Sequence, residues 1–173
     1  STTDDDVAGF TIVELDGSTE VDESGDTDTF TVVLDAQPTS DVVITITSSD
    51  TGEATVTSTL TFTPANWDTP QVATITGVDD DIIDGSQTST ITVSIDDANS
   101  DDDFDAVADQ TVSVSTTDDD VAGFTVSETE GSTTVTEAGS TDVLNIVLNA
   151  QPDSDVVLSC LLYTSDAADE ADG

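Results

Sequence analysis

Apolar and polar side chains alternate along most of this chain, and clusters of Asp, Asn, Ser, Gly and Pro interrupt the alternation at short intervals. A period of two places successive side chains on opposite faces of a strand. Seven segments carry it: GFTIVEL from Gly9, TFTVVL from Thr29, DVVITIT from Asp41, TLTF from Thr59, QVATITGV from Gln71, TSTITVSI from Thr88 and TVSVS from Thr111. Phe30, Val32 and Leu34 fall on one face of their strand, and Ile91, Val93 and Ile95 on one face of theirs; both trios are predicted to be core. Apart from a turn at Pro64 to Trp67, no segment has a helical period. Seven short strands with turn-rich breaks predict an all-β, antiparallel two-sheet sandwich.

The pattern then starts again. STTDDDVAGF opens the chain and returns at Ser115 to Phe124, an offset of 114 residues. The same offset relates DAQPTSDVVI at Asp35 to NAQPDSDVVL at Asn149, and Glu23-Ser24-Gly25 to Glu137-Ala138-Gly139. Roughly two thirds of the overlapping positions are identical. A period this long is the size of a domain, not of a solenoid unit. The predicted organisation is the end of a preceding repeat and linker (1–6), a complete module (7–120), the truncated start of the next (121–159) and a tail (160–173). Cys160 to Gly173 departs from the repeat, and CLLYTSDAAD is similar to a read-through translation of a sequencing-library adapter; the tail is set aside as non-native. The chain begins inside a repeat and is read as a fragment.

Charge sharpens this picture. The 173 residues include 39 Asp and Glu but no Lys, Arg or His, for a formal net charge of -39. Phosphate binding needs Lys and Arg, so nucleic acid and anionic membrane surfaces are excluded as partners. No apolar run approaches the roughly 18 residues of a membrane span, and direct insertion is not expected. Nucleophilic and proton-transfer chemistries lose their usual agents without His, Lys or Arg. The chain is therefore expected not to be an enzyme. The single cysteine permits no internal disulfide.

Where the acids fall matters more than their number. If successive strands run antiparallel, four segments meet at one pole. They are DESGDT from Asp22, SDTGE from Ser49, DDDIIDG from Asp79, and the Asp118 to Asp120 triplet after the last strand. Two like charges about 4 Å apart repel by about 4 kcal/mol at an effective dielectric near 20. A cation would relieve this, and calcium prefers six to eight oxygen ligands. Zinc and copper sites lack their preferred histidine and cysteine ligands here. Solvated carboxylates of a salt-tolerant protein are the alternative. The loop DDANSDDDFDAVAD from Asp96 falls at the opposite pole, where Asp4 to Asp6 would approach it and form a second, junctional site.

Val21 to Gly25, LTFTPANWDTPQ from Leu60, VDDDIIDG from Val78 and TTDDDVAGF together resemble the Calx-beta-like, immunoglobulin-like modules found in tandem in large bacterial secreted and surface proteins. The resemblance covers about Val7 to Asp120 and the first third of a second module. It implies Ca2+ held by Glu23, Asp79, Asp80, Asp118, Asp119 and Asp120, with Asp50, Asp81 and Asp84 as further candidates. Asp84-Gly85 stands near the place of a glutamate pair in a typical member. The implied role is a non-catalytic calcium-binding repeat of an extracellular adhesin or stalk, with neighbouring repeats as partners and host-surface or glycan ligands as further ones. The alternative is a ligand- or carbohydrate-binding accessory module of a secreted enzyme, with Trp67 as its stacking platform; a lone Trp beside Pro64 and Pro70 more often caps a sandwich core, and that is the role expected of Trp67.

Two other motifs carry less. Asp50-Thr51-Gly52 is the aspartic-protease tripeptide, but Ser48 and Ser49 precede it where those enzymes set an apolar strand. VDDDIIDG fails as an EF-hand, since Gly85 at the sixth position would put Ile82 third and Ile91 twelfth.

Overall fold

The structure, a computed structural model, describes residues 6–15, 17–131, 133–136 and 138–160. Between Phe10 and Thr117 the chain forms β1 (Phe10–Glu14), β2 (Thr19–Asp22), β3 (Thr27–Leu34), β4 (Val42–Ser48), β5 (Ala54–Val56), β6 (Thr59–Phe62), β7 (Gln71–Gly77), β8 (Gln87–Ile95) and β9 (Gln110–Thr117). One sheet has the order β1-β3-β7-β5 and the other β2-β9-β8-β4-β6. This is an all-β, immunoglobulin-like sandwich. Phe30, Val32 and Leu34 from one sheet, and Ile91, Val93 and Ile95 from the other, are buried between them with Phe62 and Ile75. Each such side chain contributes about 1.5–3 kcal/mol on burial. Pro64 to Trp67 is a turn, and Trp67 packs partly buried on the core while its carbonyl accepts from Leu34 N–H at 3.2 Å.

Three features depart from the sequence reading. A strand outside the seven follows the first: after β1 the chain turns at Gly17, whose φ of +80° suits glycine, and β2 joins the other sheet. There β2 pairs with β9 in parallel, from Thr19↔Val114 to Asp22↔Thr117, so strict antiparallel succession fails at this one ladder. Second, β5 pairs with the end of β7, Ala54 opposite Gly77. Third, short 3-10 turns form at Asp97–Asn99, Asp102–Phe104 and Thr129–Gly131.

The sheet switch brings β2 close against β7. A Cβ on Gly77 would overlap the Asp22 carbonyl oxygen, which is backbone and has little room to retreat. Gly77→Ala is therefore expected to cost about 1–3 kcal/mol, as overpacking does. A lower denaturant midpoint at unchanged m-value checks it.

At the far pole, Asp101 is buried and ties two loops together. Its Oδ2 accepts from Thr39 N–H and Oγ1 at 2.7 Å each and from Ser40 N–H at 2.8 Å, while Oδ1 accepts from Asp103 N–H at 3.1 Å. These hydrogen bonds hold its carboxyl well below the usual aspartate range. With the folded value depressed, its contribution is present above the ordinary value of 3.8 and lost as pH falls. Asp101→Ala should cost at least about 2 kcal/mol at pH 7, by stranding these donors. Urea melts at pH 7 and pH 3 would show the difference shrinking in acid.

Beyond Thr117, β10 (Phe124–Glu128) pairs with β11 (Leu144–Leu148). Its register, Phe124↔Leu148, is the Phe10↔Leu34 register of β1 and β3 displaced by the repeat offset. Phe124, Leu144 and Ile146 are exposed here, whereas Phe10, Phe30 and Val32 are buried. Residues 155–160, which repeat the start of β4, form no strand. Cys160 is exposed, and the rest of the tail from 161 lies outside the described residues. Among the described residues no helix is long and apolar enough to cross a membrane.

Candidate metal centre

The topology gathers the β2–β3, β4–β5 and β7–β8 loops and the exit of β9 at one pole. Backbone hydrogen bonds lace them together: Glu23 N–H to the Thr117 carbonyl at 3.1 Å, Gly77 N–H to Asp26 at 3.0 Å, and Val78 N–H to Glu53 at 2.9 Å. The parallel β2–β9 ladder ends at Asp22, so the next side chain, Glu23, enters the pole at its centre. Only 1% of Glu23 is exposed.

Glu23 belongs to two groups of carboxylates, Glu23 with Glu53 and Asp84, and Glu23 with Asp80 and Asp120. In each group one oxygen per residue lies within 4.8 Å of the others. One oxygen on each of three of these residues, Glu23 Oε2, Glu53 Oε2 and Asp120 Oδ2, is buried without a hydrogen-bond partner among the described residues. Such orphaned acceptors are uncommon in folded proteins and cost about 1–3 kcal/mol, more when charged.

Electrostatics follow from that geometry. Burial, and after it Asp118, Asp80, Glu53 and Asp84, push the Glu23 carboxyl up to about 7. Burial likewise raises Glu53, aided by Asp84, Asp50, Asp80 and Asp118. Asp120 is raised by burial and then by Asp118, Asp81, Asp119 and Asp79. The chain has no cation of its own to answer them.

The sequence-predicted residues therefore occupy different places. Glu23, Asp80, Asp84 and Asp120 supply oxygens to the two groups, whereas Asp50, Asp79, Asp81, Asp118 and Asp119 surround them. Asp118 organises the loops: its Oδ2 accepts from Gly85 N–H and its Oδ1 from Asp120 N–H, both at 2.8 Å. Asp80 Oδ1 accepts from Ile82 N–H at 2.7 Å and Asp50 Oδ1 from Gly52 N–H at 3.0 Å, each shaping its own turn. The Asp81 carbonyl accepts from Gln151 N–H at 2.6 Å. Asp79 and Asp119 are exposed.

Glu53 is the ligand candidate that sequence reasoning missed. It immediately precedes β5, a strand too short to show a period, and so looks like one more loop acid. No local feature of SSDTGEATV sets it apart from the other loop acids. At the far pole Asp6 and Asp103 line one cleft, while Asp4 and Asp5 lie outside the described residues.

An all-carboxylate donor set suits hard cations, and the orphaned buried oxygens fit a bound ion better than water-facing acids would. No family model matches the chain, and no curated protein matches it. Among solved structures it is similar to the apo-form Calx CBD1 domain (17% identity, TM-score 0.45, covering 64% of this chain and 98% of that one). It is also similar to CBD12 from CALX1.2 (14%, TM-score 0.45, 80% and 69%) and to the E. coli chaperone DraB (9%, TM-score 0.45, 67% and 59%).

Proposed function

We propose that this chain is a non-catalytic, calcium-binding structural module of an extracellular bacterial adhesin or stalk. The observation that carries the reading is Glu23, a buried carboxylate with an orphaned oxygen that joins both acidic groups. Calcium, when bound, supplies the positive charge that the chain lacks and accepts the oxygens that no donor reaches. Glu23, Glu53, Asp80, Asp84 and Asp120 would hold it, with Asp50, Asp79, Asp81, Asp118 and Asp119 adding negative potential around them.

The stiffening role rests on one loop. Residues 79–85 carry Asp80 and Asp84 into the two groups and, through the Asp81 carbonyl, touch Gln151 in the second copy of the repeat. Ordering that loop at the metal side therefore orders it at the neighbour side. Titrating Ca2+ calorimetrically into metal-free protein tests the reading. Saturable heat with at least one ion per chain supports it; no heat beyond dilution, at protein concentrations that detect millimolar affinity, contradicts it.

A further inference from the structure

Ala-Gln-Pro occurs twice at the repeat offset, as residues 36–38 and 150–152. In the first, the Gln37 side chain donates to the Pro64 carbonyl at 2.8 Å; the second meets a different segment. There the β7–β8 loop lies alongside: Gln151 N–H donates to the Asp81 carbonyl, Ile82 bridges Gln151 in parallel, and Ile83 shares an apolar cleft with Ala122, Phe124, Leu148 and Pro152. The earlier turn is held the same way. Asp35 N–H donates to the Gly9 carbonyl at 2.9 Å, as Asn149 N–H does to Gly123 at 3.0 Å.

Beside the first turn lies a solvent-open cleft of about 560 Å³, walled by Ala8, Ala36, Pro38, Phe104 and Val107. Phe104 is buried beneath the cleft, and the part-buried Ala8 and Val107 give it an apolar surface, smaller than the one Phe124 and Leu148 give at the filled site. Gln37 N–H has no acceptor among the described residues. The cleft thus offers a backbone donor that no described residue engages, beside a small apolar surface.

We infer that this cleft is a docking surface for the β7–β8 loop of another copy of the module, which it receives as residues 150–152 receive Asp81 to Ile83 within the chain. The incoming loop brings a carbonyl for Gln37 N–H and Ile83 for Ala8 and Val107. It also brings Asp79 and Asp81 towards Asp6 and Asp103, which line the cleft. That repulsion disfavours encounter between separate chains at low salt, so the docked state belongs to tethered copies, whose effective concentration reaches the millimolar range.

The test extends the full chain at its N-terminus by a second copy of residues 1–114, and follows amide hydrogen exchange by NMR in physiological salt with calcium. The Gln37 amide of the original chain should exchange at least tenfold more slowly after extension, while Gln151 stays protected throughout. Ile82→Asp with Ile83→Asp in the added copy should abolish the Gln37 protection without unfolding that copy, both side chains being partly exposed. Equal Gln37 exchange before and after extension overturns the inference, and so does protection that survives the double substitution. Calcium uptake has its own calorimetric test, so either idea can fail alone.

Discussion

Saturating calcium should raise the thermal unfolding midpoint of this chain by about 10–20 °C over the same protein in EDTA at matched ionic strength. A ligand bound only by the folded state stabilises it by about 2.7 kcal/mol at a hundredfold excess over Kd. Each kcal/mol is worth about 4–8 °C for a domain near this size. The metal-free module begins from an unfavourable position, because three buried carboxylate oxygens lack any donor among the described residues and Glu23 lies close to the carboxylates of both groups. Magnesium at the same ionic strength should give a much smaller shift, since it demands near-ideal octahedral geometry and dehydrates reluctantly. Scanning calorimetry in the three buffers measures both effects.

Replacing Glu23 with glutamine should reverse the sign of its contribution according to the metal present. In EDTA at pH 8, Glu23→Gln is expected to be the more stable protein, by on the order of 1 kcal/mol, because it removes a buried charge without a partner. In calcium it should lose most of the stabilisation described above. The pH dependence separates these effects. Glu23 has a folded value of about 7 against an ordinary value of 4.5. A carboxyl raised on folding leaves its contribution intact below the ordinary value and loses it as pH rises through the folded one. The metal-free parent should therefore weaken between about pH 5 and pH 8; Glu53 and Asp120, also raised, act in the same direction. Glu23→Gln should be flatter over the same window. In calcium the parent should instead strengthen with pH, since the ion competes with the proton. Urea midpoints at pH 5, 6.5 and 8, with and without calcium, would show all three trends.

Those residues were only partly legible in the sequence, for physical reasons. The Phe30 and Ile91 strands could be read because alternation over several residues fixes which face is buried, and one face of each meets the opposite sheet. The convergence of four acidic segments could be read because chain reversal alone determines which loops share a pole. TEVD, the β2 segment, gave no such signal: Val21 is its only apolar residue, and its place depends on the chain crossing at Gly17 to meet β9. That crossing buries Glu23 and distinguishes it from its acidic neighbours. Asp101 was equally hidden, since nothing local separates an aspartate satisfied by four donor groups from those beside it in DDANSDDDFDAVAD.

Crystals of the full chain grown with calcium, with anomalous differences collected at long wavelength, address most directly whether Glu23 and its neighbours hold an ion. Density is expected between Glu23 and each of the pairs Glu53 with Asp84 and Asp80 with Asp120, at about 2.3–2.6 Å from their oxygens. Well-ordered Glu23, Glu53 and Asp120 side chains with no anomalous peak among them would contradict it.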